Sequence, residues 1–236
     1  MNRNSEFLCV LKESFIRFLQ TNARSNEKLK ILHSYIAKSL CNLLGEEEYS
    51  FYSLGFGNKK EALIKGRYLD KKVDITVRDK RNRDVCGIAV KFVMSNYSQN
   101  SNNYFENMLG ETSNIRCNKV PYFQIFCIFD ELPYYDKSGN IKKWESITEH
   151  NINKYLQLSK DNIDCYYHVP NKTLFYVVHL SSKGNAIKTK KDYNNYYLSN
   201  SFSIENSKLK FSFENSVIYN DYEKFLEKVM YTIKSI

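Results

Sequence analysis

The stretch Tyr122-Phe123-Gln124-Ile125-Phe126-Cys127-Ile128-Phe129 is a nearly continuous apolar run. A strand that shows no polar alternation is buried on both faces, which is the signature of a central strand in a helix-covered sheet. A helical pattern precedes it: Tyr104, Met108 and Ile115 share one face of the segment Asn103–Ile115, with Phe105 and Leu109 beside it. Further upstream, Val73-Asp74-Ile75-Thr76-Val77 and Val85-Cys86-Gly87-Ile88-Ala89-Val90-Lys91-Phe92-Val93 are β-prone runs. The charged stretch Arg78–Asp84 between them reads as a solvated hairpin tip, with contact to a DNA backbone as the alternative. These elements predict an α/β fold with a mixed central β-sheet flanked by helices.

The rest of the chain fits that frame. Phe7, Leu8, Leu11, Phe15 and Phe18 recur at helical spacing, and after the polar break Thr21–Asn26 a second stripe follows, Leu29, Leu32, Ile36, Leu40 and Leu43, stopped by Gly45. Shorter β-prone runs occur at Ser50–Leu54 and Ala62–Ile64. Beyond the central run, Pro133–Asn140 reads as a turn-rich loop, Ile147–Leu158 as a helix, Thr173–Leu180 as a strand, and the lysine-rich stretch Ser181–Asn200 as an exposed excursion. Tyr222, Phe225, Leu226, Val229 and Ile233 predict a closing helix. With 236 residues and 42% apolar content, one domain with one core is expected. It divides into two N-terminal helices (about 5–45), a core (about 46–130) and C-terminal elements (about 131–236).

The net charge of +9 favours an anionic partner, because Lys and Arg neutralise phosphates and release condensed counterions. The six cysteines are scattered without a CxxC pair or a Cys/His cluster at zinc spacing, so they read as reduced thiols. The polar start Met1–Glu6 and the charges Lys12, Glu13 and Arg17 argue against a signal peptide. No apolar run approaches the roughly 18 residues of a membrane span. No membrane association and a cytoplasmic location are therefore expected. Gly55-Phe56-Gly57-Asn58-Lys59-Lys60 lacks the ending of a phosphate-binding loop. The histidines His33, His150, His168 and His179 lie far apart, near no matching nucleophile.

Asp74 sits between two apolar residues on a strand, and Lys91 closes the segment Ala89-Val90-Lys91 on the next one. In these residues and in the element order the chain resembles the PD-(D/E)XK nuclease superfamily over roughly residues 46–130. Phosphodiester hydrolysis needs a carboxylate that holds Mg²⁺ against the scissile phosphate and a cation or base that positions the attacking water. The resemblance assigns Asp74 to the first task and Lys91 to the second. The family carries an acid two residues before the lysine, where this chain has Ala89.

Some members of the superfamily supply the missing acid from the following helix, and its spacing favours Glu106 as catalytic residue and metal ligand. Glu111 is the second candidate, about 140° further around the helix. The upstream Glu46-Glu47-Glu48 and Glu61 remain open as additional acids. Asn96, Tyr97, Gln99, Asn100 and Asn103, in an amide- and phenol-rich stretch, are the candidate DNA contacts. The resemblance implies a type II restriction endonuclease acting on double-stranded DNA as a homodimer with Mg²⁺. The alternatives are a non-catalytic DNA-binding protein on the same scaffold, for which Ala89 speaks, and a nuclease acting on RNA or branched DNA.

Overall fold

The computed structural model describes residues 2–21, 25–181 and 187–236. Two N-terminal helices, α1 (Arg3–Gln20) and α2 (Glu27–Leu44), follow their apolar stripes. Asn2 caps α1 by accepting from the Ser5 N–H, and Gly45 ends α2 at φ 90°, a left-handed conformation open to glycine without strain. Then come β1 (Tyr49–Ser53), β2 (Phe56–Gly57), β3 (Ala62–Ile64), β4 (Lys71–Val73), β5 (Ile75–Asp79) and β6 (Asp84–Val93). Helix α3 (Tyr97–Arg116) crosses to β7 (Tyr122–Phe129). The chain continues through β8 (Glu131–Tyr135), β9 (Ile141–Ser146), α4 (Glu149–Lys160), β10 (Thr173–Leu180), α5 (Lys190–Ser199), β11 (Ile204–Asn206), β12 (Val217–Tyr219) and α6 (Tyr222–Lys234).

The main sheet runs β11-β10-β7-β6-β5-β1-β2, with β12 also on β10. The half formed by β2, β1, β5 and β6 is antiparallel, whereas β6, β7 and β10 are parallel. Every residue of β7 is buried, as its unbroken apolar run requires. Its alternate side chains serve two helical layers. Phe123 meets Phe225 of α6 and Phe129 meets Phe15 of α1 on one side. On the other side Phe126 packs on Tyr97 of α3 and Tyr155 of α4. Phe7 of α1 stacks on Tyr222 of α6 at 4.1 Å between ring centroids, which ties the two chain ends together. Among the described residues, no helix is long and apolar enough to cross a membrane.

The charged stretch between β5 and β6 is the solvated hairpin tip that its composition implies, closed by ion pairs of Arg78 with Asp84 and of Arg83 with Asp79. Three expectations change. The polar stretch ahead of Asn103 belongs to α3, which begins at Tyr97, because the Asn96 side chain and left-handed backbone (φ 51°) redirect the chain there. The expected loop Pro133–Asn140 is largely one arm and the turn of a hairpin, β8 paired with β9, held outside the main sheet. The expected excursion Ser181–Asn200 contains α5, anchored by buried Tyr193 and Tyr197; its residues 182–186 lie outside the described residues, as do 22–24 of the break between the first two helices. The C-terminal elements are integral to the fold, since β10, β11 and β12 extend the sheet and α6 fills the core.

Strands β3 and β4 form a small hairpin of their own, Ala62 opposite Val73. Ile64 and Val73 pack on Ile115, Val120 and Tyr122 in a separate apolar cluster. Asn114 of α3 fastens the tip: its Oδ1 accepts the Tyr68 and Leu69 N–H groups and its Nδ2 donates to the Leu69 carbonyl. The carboxamide occupies the space a side chain at Gly66 would need, because a Cβ there would lie 2.1 Å from Asn114 Nδ2 and 2.4 Å from the Leu69 carbonyl oxygen. Gly66→Ala is expected to destabilise the chain by about 1–3 kcal/mol, the range for forced overpacking, as read from urea unfolding. An unchanged midpoint would mean that the tip is not held as described.

Candidate active site

At Asp74, the bend between β4 and β5, the chain enters the main sheet from the β3–β4 hairpin. Upstream, β4 pairs only with β3; downstream, β5 pairs with β6 as far as Ile75 opposite Ile88. Among the described residues, the edge of β6 beyond Ile88 therefore has no strand paired with it on that side, and a backbone donor there needs another partner. Asp74 supplies it, as its Oδ2 accepts the Val90 N–H at 2.7 Å. The fork opens into a pocket of about 600 Å³ lined from α2, β4, β6, α3 and β7.

Burial pushes the Asp74 carboxyl up to about 6, with the Val90 N–H opposing and the Glu111 charge adding to the rise, while Lys91 and Lys71 pull it down. Lys91, half-buried on β6, has its ammonium 4.3 Å from the centre of the Tyr104 ring. Burial lowers its pKa, and the neighbouring Asp74 and Glu111 charges work in the opposite sense. A lysine under such opposed influences is a donor whose proton is held less tightly than in water. The two residues singled out by sequence thus line one pocket, each within reach of the other's charge.

The third member is His33, which sequence reading passed over. It lies in the buried stripe of α2, fully enclosed, and among the described residues neither ring nitrogen has a hydrogen-bond partner. Burial pushes its pKa down to about 4, with Glu61 opposing, so the imidazole is neutral. A ligand nitrogen of His33 and carboxylate oxygens of Glu61 and Asp74 all lie within 4.8 Å of one another. A neutral imidazole and two carboxylates are a donor set for a divalent cation, and the orphaned ring nitrogens give that set a reason to exist. Glu61, one of the upstream acids left open by sequence, also meets Lys72 Nζ at 3.4 Å.

Glu111, not Glu106, is the α3 acid at this site. Met108, Thr112 and Ile115 define the buried face of α3, and Glu111 lies beside them, lining the pocket. It pairs with Lys71 Nζ at 2.5 Å and accepts from the Tyr122 hydroxyl at 3.3 Å. Glu106 is exposed on the far side of the helix, outside the pocket lining, where its charge acts on Lys154. Gln124 of β7 sits directly opposite Ala89 in the parallel register and lines the same pocket. The small alanine leaves room, and an amide stands beside it. Glu46 and Glu48 lie elsewhere, the first accepting from the Cys41 thiol and the second paired with Lys80.

The candidate DNA contacts separate into two groups. Asn96 is a structural clamp, its Nδ2 donating to the Tyr135 carbonyl at 2.9 Å and its Oδ1 accepting the Tyr135 N–H at 3.0 Å. Tyr97 is buried and donates to the Asn151 carbonyl, and Asn100 donates back to the Asn96 carbonyl at 3.5 Å. Asn96 and Tyr97 hold α3 against its neighbours and Asn100 closes the start of the helix itself, while Gln99 and Asn103 are exposed. Comparison of the chain with protein-family models, with curated proteins and with solved structures returned no match.

Proposed function

We propose that the chain is a metal-dependent nuclease that hydrolyses phosphodiester bonds at the fork around Asp74, with DNA as substrate. The observation that carries this reading is the convergence of Asp74, Glu61 and the unpartnered neutral His33 on one point, with the Lys91 ammonium and Glu111 across the same pocket. The element order supports it too: β1, β5 and β6 run antiparallel, α3 crosses and β7 is parallel to β6, with an acid just before β5 and a lysine on β6, an order similar to the one the PD-(D/E)XK resemblance implies.

Asp74, Glu61 and His33 would hold the divalent cation. When bound, such a cation polarises a phosphate oxygen and lowers the pKa of coordinated water. Asp74 is fixed for the task by the Val90 N–H, which leaves its other oxygen for a ligand. Lys91 Nζ donates to the water or to the developing charge on the phosphate, in a partly desolvated position where such a contact is stronger than in water. Glu111, oriented by Lys71 and the Tyr122 hydroxyl, takes over the acidic role absent at Ala89. Gln124 adds a neutral donor and acceptor beside it. The net positive charge of the chain draws the polyanion in.

The test is cleavage of plasmid DNA with Mg²⁺ or Mn²⁺, with EDTA as control. Wild type is expected to cut and EDTA to abolish cutting. Glu111→Gln is expected to slow the reaction by more than about tenfold, in the range of a lost electrostatic contact at a reacting centre, whereas Glu106→Gln stays within about twofold of wild type. Equal losses in the two variants would remove Glu111 from the site. Intact plasmid with a retained gel shift would favour the second reading, a non-catalytic DNA-binding protein, to which Ala89 points.

A further inference from the structure

The β3–β4 hairpin leaves the site at one proposed metal ligand and returns at the other, since Glu61 directly precedes Ala62 and Asp74 directly follows Val73. Its strands are three residues long, so its tip stands about 10 Å from the carboxylates at 3.3 Å per residue. That tip exposes large apolar groups, with Tyr68 81% exposed and Leu69 60%, and Leu63 on β3 adds another at 59%. Exposed large apolar groups gathered in one place mark interaction surfaces.

The tip is also rigid, through the three Asn114 hydrogen bonds, the Arg67 N–H to the Asn114 carbonyl at 2.7 Å and Asn118 Nδ2 to the Lys65 carbonyl at 2.7 Å. A surface ordered in advance loses little entropy on binding. Its surroundings are cationic: Lys59, Lys60, Lys65, Arg67, Lys71 and Lys72 outnumber Glu61 and Asp70 along the segment. An aromatic ring on a fixed basic support next to a phosphodiester site suits a nucleic-acid strand.

We propose that Tyr68, supported by Leu69, stacks on an unpaired or unstacked base about three nucleotide steps, at 3.4 Å each, from the scissile phosphate. The preferred substrate is then single-stranded or distorted nucleic acid, which a supercoiled plasmid presents at its locally unwound stretches. This rests on the nuclease reading and deepens it. Within a regular duplex both faces of every base are covered by neighbours, so an exposed ring gains a stacking partner only where a base is unpaired or displaced. Lys65 and Arg67 flank the ring and serve the phosphates on either side of that base.

The experiment uses the full chain carrying Asp74→Asn, to prevent cutting, and three probes: a paired duplex, the same duplex with one unpaired 2-aminopurine, and its single strand. The unpaired probe is expected to bind on the order of tenfold more tightly than the paired one, the scale of one base–aromatic stack, with quenching of 2-aminopurine fluorescence. Adding Tyr68→Ala should remove both the preference and the quench, leave binding to the paired duplex unchanged, and leave the melting temperature unchanged. Tyr68→Phe should keep both. If Tyr68→Ala binds all probes as its parent does while the wild-type chain still cleaves DNA, the stacking proposal is wrong and the nuclease reading stands. A wild-type chain that neither binds nor cleaves any nucleic acid overturns both.

Discussion

Asp74→Asn is expected to abolish metal-dependent cleavage, lowering the rate by about a thousandfold or more, while the protein stays as stable as wild type or gains stability. The two halves of this prediction come from one geometry. The amide oxygen of asparagine can still accept the Val90 N–H, the bond that closes the open edge of β6 at 2.7 Å. The fold therefore keeps its local partner. What disappears is a charge that burial already disfavours, as its pKa of about 6 records, and removing a buried charge without leaving a partner stranded is neutral or stabilising. Lys91 keeps Glu111 as a neighbouring charge.

The catalytic loss follows because an amide is a poor substitute for an anionic ligand to a hard divalent cation. A thousandfold corresponds to about 4 kcal/mol of transition-state stabilisation. Plasmid cleavage under saturating metal and a thermal melt of the same preparation check both halves. A variant that melts normally and still cuts would take Asp74 out of the chemistry. A variant that loses activity because it melts far below wild type would show Asp74 to be a structural acid.

How much of this was legible in the sequence depends on how local the signal is. The stripes of α1, α2 and α6 and the unbroken apolar run of β7 are statements about a few neighbouring residues, and each predicts its element. Asp74 and Lys91 are legible for the same reason, because Asp74 immediately precedes β5 and Lys91 lies on β6, the two strands of one hairpin. The choice between Glu106 and Glu111 needed the packing face of α3. Met108, Thr112 and Ile115 set that face, and Glu111 lies three residues from the first and four from the last, so the wheel held the answer that loop spacing obscured.

His33 was beyond reach by such means. A histidine between Leu32 and Ile36 on an apolar stripe reads as core, and only the packing of α2 against the fork brings it to Asp74. Helix α5 had a visible signal, the Thr189–Asp192 capping box and the tyrosine pair Tyr193 and Tyr197, which the surrounding lysines masked. The β8–β9 hairpin lacks such a signal, since Pro133 and the adjacent Lys142 and Lys143 resemble a loop and its pairing lies outside the main sheet.

The second large effect concerns His33. Two buried ring nitrogens without partners among the described residues are a defect in the metal-free fold, each such group costing about 1–3 kcal/mol. Leucine fills a similar volume without polar atoms, so His33→Leu is expected to stabilise the metal-free chain by at least about 1 kcal/mol, or roughly 2–4 °C in melting temperature for a domain of this size. In the presence of metal the order should reverse. Imidazole favours transition metals over Mg²⁺, which prefers oxygen ligands. Wild type should therefore be protected against thermal unfolding more by Mn²⁺ than by Mg²⁺ at matched concentration. A ligand at a hundred times its dissociation constant adds about 2.7 kcal/mol, which exceeds the gain from leucine. In His33→Leu the excess protection by Mn²⁺ over Mg²⁺ should vanish, while any protection by Mg²⁺ through Asp74 and Glu61 persists. A histidine that destabilises the empty fold and stabilises the metal-bound one is kept for the metal. If His33→Leu leaves the metal-free melt unchanged and Mn²⁺ protects both proteins alike, His33 is a core residue, and the cation, if bound, rests on Asp74 with Glu61 or Glu111 alone.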